Sequence, residues 1–302
     1  MTVESFEAKL AADKKIEPND EMPDEYRNAA LRMMKFHASS EIVGAIPEAE
    51  WIPYAPSLFR KRVLIAKVQD EVGHGQILMR VVEDLGCSRE QFIQDILDDK
   101  AKYLTVFDEE YESWADIGMI GWLGDGAEIE RQHTLKDASY GPYARAMHKI
   151  VYEEAFHYSQ GRDLIATLMQ GTKAQRDMVQ ESFNKWWWRA MVLFGPHDSE
   201  STHSKVLMNF KLKIKSNDEL RNLFLNKFVP RIKKMGLEIP DQTLQYDESK
   251  GSWKYKDPDF TIYKNSKSLP SHQRRLKFLR QSYETNGWVR RLVELDNIPK
   301  AL

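Results

Sequence analysis

Apolar residues recur along this 302-residue chain at intervals of three and four, the period of a helix with one buried face. Strand-like alternation is rare. Residues 1–22 are polar and read as an arm. From Pro23 a first long helix sets Met33 or Met34, His37, Glu41 and Ala45 on one side, and Pro47 is expected to end it. A connection containing Trp51, Pro53, Tyr54 and Pro56 leads to a second helix, from about Leu58 to Leu85. Its inward stripe reads Leu64, Val68, Glu71, Val72 or Gly75, Leu78 and Val82, and Gly86 is the stop.

Ser88 with Gln91 forms a capping box for a short helix to about residue 100, and Ser113 opens another that runs to about Lys136. Tyr140-Gly141-Pro142 turns the chain into a long helix bearing Ala146, Ile150, Glu154, His157 and Gly161 on one side, closed by Gly171. Thr172 and Gln175 cap the next, which contains Trp186-Trp187-Trp188 and breaks at Gly195-Pro196. Helical spacing resumes at about 202–214 and 217–235. Between Gly236 and Pro270 it gives way to an irregular wrap with a small hairpin at Gln245–Lys256, and a last helix runs from Ser271 to about Asp296. The expected architecture is all-α. It is one domain over 1–302, with a four-helix bundle core at about 23–195 and a C-terminal extension of helices and wrap over 196–302.

Charged side chains interrupt the apolar stripes at matched places. Asp70-Glu71-Val72-Gly73-His74 and Glu153-Glu154-Ala155-Phe156-His157 are each an acid followed by Glu-x-x-His, so the Glu and His project from one helix face. Thirty residues before Glu71 stands Glu41, and twenty-nine before Glu154 stands Asp125. A helix of about 20 residues is roughly 30 Å long, so such an offset lets the chain climb, turn and return to the same level. Four carboxylates buried in a bundle would each cost several kcal/mol or more if ionised and unpaired. Two divalent cations cancel those charges. One carboxylate helix followed by one Glu-x-x-His helix, twice over, is the pattern of a carboxylate-bridged dimetal site. Glu41, Glu71, His74, Asp125, Glu154 and His157 are therefore the candidate ligands, with Glu128 an alternative to Asp125 one turn on. Mixed oxygen and imidazole donors favour iron or manganese. Asp70 and Glu153 are placed to hold an imidazole by its other N–H, and His37 lies one turn from Glu41. His133, His148, His197, His203 and His272 have no matching partners and read as surface or structural.

Composition narrows the rest. With 44 basic and 46 acidic side chains, nothing points to nucleic acid or an anionic membrane as partner. No apolar run is long enough to span a bilayer, and the N-terminus lacks a secretory signal. The single cysteine, Cys87, excludes an internal disulfide and fits a reducing, cytoplasmic setting. It also excludes an iron–sulfur cluster held by this chain alone. Gly121, Gly124 and Gly126 lie in a helical pattern and not in the strand-to-helix turn of a nucleotide site. Arg60, Lys61, Arg62 and Lys67 form a basic cluster suited to the phosphates of coenzyme A, although such clusters are commonly solvated faces. Three consecutive tryptophans cannot all face one way, so at least one is expected to cover a partner subunit.

Several long runs are more specific than spacing. They are Ser40-Glu41-Ile42-Val43-Gly44, the stretch Ala66 to Gly75, Trp114-Ala115-Asp116-Ile117-Gly118, Gly121 to Ala127, Ser139 to Met147 and Phe194-Gly195-Pro196. Through them the chain resembles, over nearly its whole length, the catalytic A subunits of bacterial phenylacetyl-CoA epoxidases, multicomponent monooxygenases of the ferritin-like di-iron class. The resemblance implies a ferritin-like bundle, an aspartate in the third-helix ligand position (hence Asp125), and two Fe ions. It implies O2-dependent epoxidation of the ring of a coenzyme A thioester. It also implies a ferritin-like structural subunit, a small bridging subunit, and a reductase carrying flavin and a [2Fe–2S] cluster that draws on NADPH. Readings as a radical generator, an iron store, a scaffold or an oxygenase for benzoyl-CoA fit less well. Leu78 and Gly161 stand where a radical-bearing tyrosine would be expected, and all six ligand positions are filled.

Overall fold

A computed structural model of the chain describes residues 4–263 and 265–287. The bundle consists of α2 (Asp24–Ala49), α3 (Leu58–Asp84), a composite third rod and α7 (Gly141–Met169). The rod joins α5 (Trp114–Met119), a π-helical turn over Ile120–Gly124, and α6 (Asp125–Leu135). The helix expected from Ser113 to Lys136 thus carries one wider turn in its middle. α2 packs along α3, and the composite rod packs along α7, which also meets α3. α4 (Arg89–Leu97) follows α3, and α8 (Lys173–Val192) lies against α5 and α7. α9 (Thr202–Asn209) and α10 (Asn217–Met235) come next, then a two-stranded antiparallel hairpin, β1 (Gln245–Asp247) with β2 (Ser252–Lys254). Last is α11 (Pro270–Thr285), capped at Asn286; the expected end at Asp296 lies outside the described residues. No helix among the described residues is long and apolar enough to cross a membrane.

Local chemistry sets these boundaries. Ser57, Ser88, Thr172, Ser201 and Ser216 each accept a hydrogen bond from a backbone N–H in the first turn they open. Gly236, at φ 81°, closes α10 in the left-handed conformation glycine tolerates. Pro47 does not end α2: it removes one N–H near the C-terminus, and Glu50 N still bonds Ile46 O at 3.1 Å. The N-terminal arm is likewise more than a polar tail. It holds a short helix, α1 (Phe6–Ala11), and Ile16 is fully buried, exchanging backbone hydrogen bonds with Ser139 and Gly141.

Two large apolar clusters fill most of the interior, beside a small one at Val43, Ala101 and Tyr103. One gathers Trp122, Phe183, Trp186, Trp187, Phe224 and Phe228 from the rod, α8 and α10. The other gathers Tyr26, Met34, Leu78, Val82, Tyr143 and Ile150 from α2, α3 and α7. Along α3 the first cluster owns Leu64 and the second Leu78; along α7 the second owns Ile150 and the first Leu164. The polar layer carrying the two Glu-x-x-His motifs falls between them. Trp186 and Trp187 are core residues, and Trp188 is half-buried with Lys256 over its ring, so this run does not form an exposed partner surface.

One close approach fixes the third rod. A Cβ at Gly161 would lie 2.5 Å from the carbonyl carbon of Gly121, so α7 and the π turn touch backbone to backbone. That contact brings Asp125 near α7, where a short side chain suffices. Between α2 and α3 it is Gly75, and not the half-exposed Val72, that faces inward: a Cβ there would meet Ile42 at 2.4 Å.

Candidate metal centre

The polar layer brings all six candidate ligands together, and all are buried. Their donor atoms form two overlapping groups, Glu41, Glu71, His74 and Glu154 in one, Glu71, Asp125, Glu154 and His157 in the other, each within 4.8 Å. Glu71 and Glu154 belong to both. Each group therefore has one imidazole, one carboxylate of its own and two shared carboxylates. Glu128 instead pairs with Arg131, which leaves the third-rod position to Asp125.

The two imidazoles are presented in the same way. His74 Nε2 lies 3.1 Å from Glu153, and His157 Nε2 lies 3.3 Å from Asp70. The acids are crossed: the α7 acid serves the α3 histidine, and the α3 acid serves the α7 histidine. Each His Nδ1 then points inward. His74 Nδ1 faces Glu41 at 3.6 Å and Glu154 at 3.4 Å without a hydrogen bond, and His157 Nδ1 faces Glu71 at 3.3 Å and Glu154 at 3.2 Å. With the N–H assigned to Nε2, an Nδ1 lone pair confronts carboxylate oxygens, which is favourable only with a cation or a proton between them. Oxygen and imidazole donors in this arrangement fit a pair of divalent cations.

Electrostatics follow from burial and the crowding of like charge. Burial pulls His74 down, but Glu154 and Glu41 hold a proton on it and carry its pKa up to about 11. His157 is raised likewise by Glu154 and Glu71 against its own burial. Burial, with Glu154 beside it, pushes Glu71 well above the carboxylate range. Burial raises Glu154 too, yet His157 and His74 outweigh it and bring it to about 2. Protons on the imidazoles balance the carboxylates in the same positions that metal ions would occupy.

Around this core the two halves differ. His37 Nε2 lies 2.8 Å from Glu41, and its Nδ1 lies 2.8 Å from the Tyr143 hydroxyl, so His37 is held by side chains and not by backbone. On the other side stands Lys67, fully buried, with Nζ 2.7 Å from Asp125 and 2.8 Å from Glu48. This corrects its grouping with the basic cluster, because a buried ammonium among carboxylates cannot meet the phosphates of a surface ligand. Burial opposes its charge, but Asp125, Glu48 and Glu71 raise its pKa further. Burial lifts Asp125 to about 7, with Lys67 pulling down and Glu154 and Glu48 pushing up. Sequence reasoning missed Glu48 and turned Lys67 outward. A signal existed, since Lys67 is four residues before Glu71 and Glu48 seven after Glu41, each on its ligand's face.

A cavity of about 540 Å³ opens on the α2, α6 and α9 side, with His37 and Arg131 in its wall. Arg32, Lys102, His203 and Lys213 also line it. Arg60, Lys61 and Arg62 do not: they sit at the start of α3, with Arg60 and Arg62 against the ring of Phe59. A sequence profile for the family described as "Phenylacetic acid catabolic protein" matches residues 1–288. The chain is 44% identical, over 290 residues, to the A subunit of 1,2-phenylacetyl-CoA epoxidase from Escherichia coli (strain K12), covering 95% of this chain and 94% of the relative.

Proposed function

The chain belongs to the phenylacetic acid catabolic protein family, and on that premise we propose that it is the oxygenase subunit that epoxidises the ring of phenylacetyl-CoA. The observation carrying this reading is the pair of donor groups sharing Glu71 and Glu154, next to a cavity of about 540 Å³ whose wall includes His37, the partner of Glu41. Iron is the proposed metal, held by Glu41, Glu71, His74 and Glu154 at one position and Glu71, Asp125, Glu154 and His157 at the other. Bound there, it supplies the reduction and activation of O2. One oxygen atom enters the ring and the other leaves as water, consuming two electrons and two protons from outside.

The chain's own residues prepare this chemistry. Glu153 and Asp70 fix the orientation of the two imidazoles. Lys67 holds Asp125 and Glu48 in place, and the flanking apolar clusters keep bulk water from the polar layer. The thioester lies in the large cavity, where Arg32, Lys102 and Lys213 supply positive charge for its phosphates. Electrons come from a partner reductase carrying flavin and a [2Fe–2S] cluster and oxidising NADPH, because Cys87 is the only thiol here. A ferritin-like structural subunit, with a small bridging subunit, completes the assembly.

The test is reconstitution. The chain is assayed with NADPH, O2 and phenylacetyl-CoA alone, then with the structural and bridging subunits, then with the reductase, and the product is identified. Epoxide is expected only with the reductase present. Epoxide from the isolated chain would refute the multicomponent reading, and none from the full set would refute the substrate.

A further inference from the structure

A small cavity of about 30 Å³ lies among Glu41, Glu71, Asp125 and Glu154. It has room for about one water molecule, so an aromatic ring reaches the carboxylates only if a wall yields. Three residues line both this cavity and the large one: His37, Leu104 and Arg131. His37 is bound to Glu41 and Tyr143, and Arg131 is ion-paired with Glu128. Leu104 is the apolar member, half-buried and outside any helix. Its displacement breaks no ion pair.

We propose that Leu104 is the gate between the two cavities, setting how deeply an acyl group in the large cavity reaches toward the carboxylates and therefore which rings are accepted. This role rests on the oxygenase reading for its substrate but not for the passage itself. The backbone carrying the gate is held on both sides. Inside, Leu104 N donates to Ser40 Oγ at 3.0 Å, and the Ser40 hydroxyl donates to Phe36 O at 2.9 Å. Outside, α11 clasps the following turn: Arg275 donates to the carbonyls of Phe107 and Glu109 at 2.9 Å each, and His272 Nδ1 lies 2.8 Å from Asp108. With the main chain pinned, opening is a rotamer change of one leucine, a small move between staggered wells.

Leu104→Ala, Leu104→Phe and Ser40→Ala test it, with circular dichroism as the check on folding. Ser40→Ala loosens the tether and leaves the leucine intact. In the first arm the iron-loaded, oxidised chain is mixed with phenol, whose ferric complex is coloured, and with azide as a small control. Leu104→Ala should speed phenol complexation by about tenfold and Leu104→Phe slow it by about tenfold, with Ser40→Ala faster than wild type and azide changing little. Phenol rates equal within about twofold in all four proteins would overturn the gate. In the second arm the full complex is given phenylacetyl-CoA and naphthylacetyl-CoA. The kcat/KM ratio should shift toward the larger ring in Leu104→Ala, with coenzyme A affinity unchanged. An unchanged ratio would remove the selectivity role. A wild-type complex inactive on phenylacetyl-CoA, beside a normal phenol arm, would sink the substrate reading and leave the gate standing.

Discussion

The α2–α3 half of the centre and the α6–α7 half carry the same motif and hold it differently. On α2, an unbroken helix presents Glu41 one turn from His37, and that histidine is anchored to Tyr143. On the third rod, Asp125 follows a π turn and is met by Lys67, reaching across from α3. Glu41 is held well below the usual carboxylate range against its burial, chiefly by the imidazoles of His37 and His74, whereas burial lifts Asp125 to about 7 although the ammonium of Lys67 pulls it down. Near-repetition in sequence thus yields two metal positions, one whose terminal carboxylate has a neighbouring imidazole and one whose terminal carboxylate has a buried ammonium. The shared residues Glu71 and Glu154 tie the halves together, and the terminal carboxylates set them apart.

Substitutions at the shared and unshared positions separate these roles. Glu154→Ala should abolish binding of both ions, because both groups use it, whereas His157→Ala should remove chiefly the ion on the Asp125 side. Metal analysis after anaerobic Fe(II) loading decides this; two ions per chain are expected in wild type, and equal single losses in the two variants would refute sharing. Lys67→Met leaves Asp125 and Glu48 uncompensated and should destabilise the chelator-treated chain by about 3–5 kcal/mol. The matched change on the other half, His37→Ala, should cost about 1–3 kcal/mol in the same urea titration, and equal costs would erase the contrast. Asp70→Asn and Glu153→Gln should each weaken metal binding about 10- to 100-fold, with the loss on the partner histidine of the opposite helix.

Protons offer a finer probe of both halves. His74, raised to about 11, stabilises the chelator-treated chain fully below the ordinary histidine value near 6.5 and loses that contribution as pH climbs through 11. Asp125, raised to about 7, also loses stability as pH rises from its ordinary value to 7. Unfolding at pH 9 should therefore need less denaturant than at pH 5.5 without metal. Metal uptake, which displaces the imidazole protons, should release protons into weakly buffered solution. Uptake without proton release would contradict this picture. The smallest effect is expected from neutralising Arg60, Lys61 and Arg62 together: thioester affinity and metal content should both stay at wild-type levels, and a clear loss of affinity would return the phosphates to the start of α3.

Sequence alone did not determine α1, the run of α2 past Pro47 or the π turn, but it did determine most of the long helices, several of their caps and the level at which the acids and histidines meet. Those depend on neighbours three or four residues away, as at Thr172 with Gln175 or Glu71 with His74. The preference for Asp125 over Glu128 was legible only through the family's runs, since both lie on the same rod one turn apart. Tertiary structure decided the rest. Whether Asp70 holds His74 or His157 depends on which helix lies across from it, and no spacing within α3 encodes that. Lys67 belongs by position to a basic cluster and by fold to a buried carboxylate pair, because attraction to Asp125 and Glu48 offsets the cost of desolvating it. The tryptophans of α8 could face a partner or the core until α5 and Tyr111 packed against that helix. Leu104 is an ordinary leucine in a loop, and only the meeting of α2, α6 and that loop places it between two cavities. Short-range chemistry is written in the order of residues, whereas a wall between cavities is made by segments far apart in the chain.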